Sequence, residues 1–186
     1  MRQLLFLLSF LFLNTITNAQ TNLVKNNAFE RDLANWKGEE NAALSPYEKK
    51  SGKNSAMINQ FTGTEWRAID QIILVPKFTY ALECSVWMKT DQVEKQKEEY
   101  KSAAVILEFT NGNEKQISTE TIANVTGTTD WTNYIKVVKV PAEAKKIRIM
   151  LALAQTNGTV FFDDIKLTAI GEEQFARLSA EPNKPK

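Results

Sequence analysis

Lys145-Lys-Ile-Arg-Ile-Met-Leu-Ala-Leu-Ala154 is the most regular stretch of the chain. Ile147, Ile149, Leu151 and Leu153 fall on one side of an extended backbone, and Arg148, Met150, Ala152 and Ala154 on the other. Successive side chains of a strand point to opposite faces, so this period of two predicts a strand with one strongly apolar face that must be buried. Ala103–Phe109 has the same form, with Ala103, Val105, Leu107 and Phe109 alternating with Ala104, Ile106 and Glu108. Two such faces bury each other when two sheets stack about 10 Å apart.

Working outward, the same alternation predicts strands near 22–26, 42–49, 54–61, 67–75, 78–89, 102–110, 115–122, 133–140, 145–154 and 159–169. A strand about every dozen residues, with turn signals between, fits an all-β jelly-roll β-sandwich of two antiparallel sheets. Asp91–Lys101 is charged throughout and reads as an exposed excursion with a turn held by Glu and Lys pairs. Residues 171–186 form a polar tail containing Pro182 and Pro185, expected to be at most briefly helical.

At the other end, Met1-Arg2, the apolar run Leu4–Leu13 and the small-residue site Thr17-x-Ala19 have the order of a secretory signal peptide over 1–19. The expected location is secreted, periplasmic or cell-surface associated. The run is shorter than the roughly 20 residues a membrane-spanning helix needs, so no membrane span is expected. Residues 20–170 are then one domain, followed by the tail. Within the signal only Arg2 is charged, so its removal leaves 22 basic and 22 acidic residues of the 23 and 22 in the whole chain. A balance of zero supplies no field for nucleic acid.

The chain has no histidine. That excludes Ser-His-Asp and Cys-His nucleophilic catalysis and removes the commonest zinc ligand. Its one cysteine, Cys84, alternates with Leu82, Val86 and Met88 and reads as a small core hydrophobe. Carboxylate-pair glycoside hydrolysis needs no histidine, and Glu83 with Glu108 is the pair available for it.

Several ordered segments carry a family resemblance. They are Asn22-Leu-Val-x-Asn-x-x-Phe29-Glu30 with Trp36 following, Ser51-Gly52-Lys53 before a strand, Tyr80-x-Leu82 before Trp87-x-Lys89, Trp131 before a strand ending at Pro141, and Phe162-Asp-Asp-Ile-x-Leu167. In this order, over about Asn22–Ile170, they resemble the CenC-like carbohydrate-binding modules among the galactose-binding-like sandwiches. Lys77 departs from the pattern, where the family often has Gly in the turn before the Tyr strand. The resemblance implies a non-catalytic module that binds poly- or oligosaccharide. It also implies a structural calcium where the first and last strands meet, on Glu30, Asp163 and carbonyls of the Ser51–Lys53 loop, with Asn27 or Asp164 completing the shell. Calcium accepts such a mixture of carboxylates and carbonyls. The competing reading makes Glu30 and Asp163 hydrogen-bonded strand-end residues.

Sugars present flat C–H faces edged with hydroxyls, so their sites combine an aromatic platform with polar rims. Trp36 and Trp131 occupy positions that in the family resemble packing. Trp66, at the entry to a strand, is where family members commonly present a stacking aromatic; capping the core is its competing reading. Trp87 projects opposite Cys84 and Val86, either onto a binding face or under a loop. Arg67, Gln71, Glu108 and Arg148 are the candidate hydroxyl partners. The expected partner is a glycan, or a secreted or cell-surface protein if the domain uses its surface without sugar affinity.

Overall fold

A computed structural model describes residues 20–180; the expected signal peptide lies outside them. Among the described residues there are nine strands: β1 (Ala43–Ser45), β2 (Ser55–Gln60), β3 (Trp66–Leu74), β4 (Ala81–Val93), β5 (Ala103–Thr110), β6 (Gln116–Val125), β7 (Gly127–Lys139), β8 (Lys146–Ala154) and β9 (Gly158–Ile170). They form two antiparallel sheets, of order β1-β2-β9-β4-β7 and β3-β8-β5-β6. The chain is the expected all-β jelly-roll sandwich.

The alternating strands put their apolar sides between the sheets. Ile147, Ile149, Leu151 and Leu153 of β8 meet Leu82, Cys84, Val86 and Met88 of β4 in one cluster, all fully buried. Burying each large aliphatic side chain stabilises the fold by about 1.5–3 kcal/mol relative to leaving it exposed. Cys84 is part of this core, and burial pushes its thiol up to about 12. That fits an inert hydrophobe, as its alternation indicated.

The opening segment differs from expectation: residues 22–26 form no strand. Leu23 N–H donates to Leu167 O at 2.8 Å, but the Asn22 side chain makes the neighbouring bonds, donating to Ile165 O and accepting from Leu167 N–H. A side-chain amide thus replaces a rung of the ladder beside β9. The chain then turns through left-handed Asn26 and Phe29 (φ 48° and 52°). Phe29 is fully buried against Trp36, ring centroids 5.4 Å apart, and Trp36 donates its Nε1–H to Asn26 O. Trp36 is structural, as read from the sequence.

β4 continues to Val93, so the charged excursion begins only at Glu94; within it Lys101 N–H and Nζ both bond Glu98. After β9 the tail forms α1 (Glu172–Ala180), longer than the brief turn expected. Phe175 packs edge-on against Tyr80 at 5.3 Å, and Glu172 and Glu173 suit the positive end of the helix. Among the described residues no helix is long and apolar enough to cross a membrane.

Candidate functional site

The outer face of the four-stranded sheet is a grid set by register. Across β3, β8 and β5 the rows are Ala68–Ala152–Ala104, Asp70–Met150–Ile106 and Ile72–Arg148–Glu108, with Trp66 beside Ala154 at the end. Small side chains in the first row leave a depression between Trp66 and the charged row. The result is a cleft of about 470 Å³ lined by Trp66, Ala68, Asp70, Glu108, Arg148 and Met150.

Its rim is the segment before β1. Lys37 and Asp70 exchange both backbone hydrogen bonds (2.8 and 3.0 Å), extending the edge of β3. A single 3-10 turn, Glu39–Asn41, follows, and Asn41 Nδ2 donates to Ala68 O at 3.1 Å. Gly38 is required for this approach: its φ is 78°, and a Cβ there would lie 2.5 Å from Ala68 O.

Arg148 is the centre of the cleft chemistry. Its Nη2 donates to Asp70 Oδ1 at 2.7 Å and its Nη1 to Glu108 Oε2 at 3.3 Å. The bond to Asp70 comes first in holding the guanidinium pKa above its ordinary value, so Arg148 is a fixed charge. Asp70 is 8 % exposed and its Oδ2 has no hydrogen-bond partner. Buried Asp70 thus anchors Arg148, and the part-exposed Glu108 carboxylate keeps its second oxygen free beside an indole that is 42 % exposed. Hydroxyl groups over an apolar ring face match that arrangement.

Trp66, Glu108 and Arg148 are thus brought together, and the other three expected contacts are not. Arg67 and Gln71 stand on the inner side of β3, because neighbours in a strand alternate. Arg67 donates to Asn59 O and pairs with Glu65, while Gln71 clamps Lys25 through both its backbone N–H and C=O (2.9 and 3.0 Å). Trp87 belongs to β4 in the other sheet, where Lys50 Nζ sits 3.9 Å over its ring. It lies under a loop, the second of its two readings. Glu83 is on β4 as well, away from Glu108, so that carboxylate pair does not form. Asp70 and the Gly38–Asn41 rim were missed. Asp70 was findable, since 66, 68 and 70 share one face; the rim carried no sequence signal. Trp131 is half-buried near Phe161, centroids 6.5 Å apart, and is structural.

The expected calcium position has a different chemistry. Asp163 Oδ2 accepts from Lys50 N–H (2.9 Å) and Ser51 N–H (3.0 Å), and Oδ1 from Asp164 N–H (2.8 Å). Glu30 accepts Lys53 N–H on both oxygens (2.8 and 3.1 Å), and its backbone O accepts from Asn54 Nδ2. The loop turns amides, not carbonyls, toward the two carboxylates. Ser51 and Lys53 consequently act as N–H donors, and these residues as arranged do not fit a calcium shell. Gly52 (φ 58°) makes the turn possible, because a Cβ there would sit 1.9 Å from Glu30 Oε1.

A family model described as a carbohydrate binding domain, CBM_4_9, matches residues 21–158. No curated protein matches the chain. Among solved structures, the enzymatically active domain of bacteriophage CBA120 tailspike protein 4 is similar at 16 % identity and TM-score 0.60, over 80 % of this chain and 21 % of its own. The chain thus spans about a fifth of that protein. A family 61 carbohydrate-binding module, TmCBM61, in complex with β-1,4-galactotriose aligns at 15 % identity and TM-score 0.55, over 81 % and 99 % of the two chains. The CBM22-1 xylan-binding domain of Paenibacillus barcinonensis Xyn10C aligns at 12 % and 0.57, over 82 % and 97 %. At these identities the likeness establishes the fold.

Proposed function

The chain belongs to the carbohydrate-binding domain family CBM_4_9, and from that premise we propose that it is a secreted, non-catalytic module that binds a poly- or oligosaccharide in the Trp66–Arg148 cleft. One observation carries the reading: residues distant in sequence, Trp66, Asp70, Glu108 and Arg148, line a single cleft. Trp66 stacks on a sugar face, while Glu108 accepts hydroxyl protons through the oxygen that Arg148 leaves free and buried Asp70 holds Arg148 in place. The galactotriose and xylan named for the two similar modules support a glycan ligand. The non-catalytic role is supported by the cleft's own charges. A general acid needs an apolar setting, whereas both carboxylates here face one guanidinium.

The test is Trp66→Ala on a polysaccharide panel read by affinity electrophoresis and calorimetry. Binding of the best glycan falls at least tenfold, about 1.4 kcal/mol, while the melting temperature moves by no more than about 2 °C. Undiminished binding by the variant would reject the cleft.

A second reading, a protein-interaction domain without sugar affinity, draws on another observation. The edge strand β3 carries Ile72 and Leu74 at 48 % and 71 % exposure, with Phe78 at 98 % nearby. Exposed apolar edges favour pairing with other chains. A glycan array blank across all classes, together with a co-purifying protein lost on Leu74→Lys, would select it.

A further inference from the structure

A second, smaller pocket of about 140 Å³ lies where β2 and β4 end and β9 begins, lined by Gln60, Asp91, Glu94, Asn157 and Gly158 among others. It shares no residue with the cleft. Asp91 is four residues beyond Trp87 on β4, roughly 13 Å from the Asp163 clasp at the rise of an extended strand.

Its polar groups have fixed orientations. Gln60 is 3 % exposed, and its Nε2 donates to two carbonyls, Thr156 O (3.0 Å) and Gly63 O (3.2 Å). Its Oε1 is therefore committed to the other side, where it has no donor. Asn157 repeats the pattern, with Nδ2 spent on Glu94 Oε2 (3.1 Å) and Oδ1 buried without a partner. Glu94 is held by its backbone, N–H to Asn157 O and C=O from Thr156 Oγ1. Gly158 (φ 125°) lets β9 start against β4, since a Cβ would lie 2.6 Å from Val93 Cα. Buried acceptors left without donors are costly, so two in one pocket point to a missing positive partner.

We infer that this pocket is a binding site for a hard divalent cation of the calcium class, held by Gln60 Oε1, Asn157 Oδ1 and the carboxylates of Asp91 and Glu94, with water completing the shell. The lining supplies oxygen acceptors and no lysine or arginine. Two carboxylates repel any anionic ligand, and a neutral sugar would leave the charge uncompensated. Calcium takes six to eight oxygens, amide carbonyls and water included. Only two of the ligands are acidic, which is consistent with no group of three or more His, Cys, Asp or Glu suited to a metal among the described residues. The site stands apart from the glycan reading and from the clasp.

The experiment uses the full chain after chelator treatment, titrated with calcium chloride by calorimetry and melted with calcium or with chelator. One ion binds with a Kd on the order of 10⁻⁴ M, the range of extracellular modules, and about 10 mM calcium raises the melting temperature by several degrees. Asp91→Asn with Glu94→Gln weakens binding at least tenfold and removes the shift; Asp91→Asn alone, at an exposed position, does so in part. Glu30→Gln keeps both. Absence of binding heat and shift in the unaltered chain overturns the site. So does a shift that Glu30→Gln abolishes and the Asp91/Glu94 variant retains, which would return the ion to the clasp. A monosaccharide bound without calcium and lost on Phe61→Ala would likewise overturn it, by giving the pocket a different ligand.

Discussion

The cleft and the clasp each hold two carboxylates, yet they do opposite things. In the cleft, Asp70 and Glu108 share one guanidinium and retain oxygens without partners. In the clasp, Asp163 and Glu30 accept five backbone N–H contacts between them. The partner decides the outcome. A side-chain cation on a flat sheet face leaves lone pairs available to a ligand, whereas a loop wrapped around a carboxylate consumes them. The clasp joins the opening segment, the 50–53 loop and β9, and it also roofs Trp87 through Lys50. The same residue type thus keeps an oxygen unbonded in one place and is a tie in the other.

That contrast predicts which readout each substitution moves. The largest effect is expected from Asp163→Ala, which leaves three N–H groups without their charged acceptor and lowers unfolding free energy by about 2–3 kcal/mol. Glycan affinity in this variant stays within about twofold; a loss of binding equal to that of Trp66→Ala would erase the distinction. Gly52→Ala comes next. Its Cβ would collide with the Glu30 carboxylate and its φ of 58° disfavours a side chain, so chemical denaturation should show a loss of about 1–2 kcal/mol. Unchanged stability there would mean that the 50–53 loop contributes little.

Glu108→Gln tests the cleft side. It keeps the shape but halves the anionic partners of Arg148, and calorimetry should register a three- to fivefold loss of affinity, within about 1 kcal/mol, with melting unchanged. The smallest effect concerns pH. Burial holds the Asp163 carboxyl above its ordinary 3.8, against the three amide bonds that lower it. A raised folded-state pKa means that its protonation is favoured in the fold. Its contribution is therefore fully present below 3.8 and is lost as pH rises through the raised value. The stability difference between the native chain and Asp163→Ala should accordingly shrink as pH rises across that acid window. A difference that grows instead would show that the amides outweigh desolvation.

Much of the architecture was legible because burial leaves a period-two record. Strand boundaries at 54–61, 102–110, 145–154 and 159–169 lie within one residue or two of β2, β5, β8 and β9. The opening segment misled, since its apolar pattern marks contact with β9 while its hydrogen bonding runs through Asn22. In the cleft, Trp66, Glu108 and Arg148 come together as expected, each a chemically distinctive residue on a clear strand. Arg67 and Gln71 lie at odd separations from Trp66 on β3, so in a strand they face the other side. Asp70, at the matching parity, holds the shortest bond to Arg148.

The sequence by itself determined the two apolar faces, the absence of histidine chemistry and the family, because these depend on residue type and local periodicity. Only the tertiary structure decided which polar residues meet. Whether a loop presents N–H or C=O to Asp163, and whether Arg148 finds Asp70 across the β3–β8 register, follows from backbone orientation and from strand pairing over 78 residues of separation. Neither is encoded by any one segment, and both set what the carboxylates have left to offer.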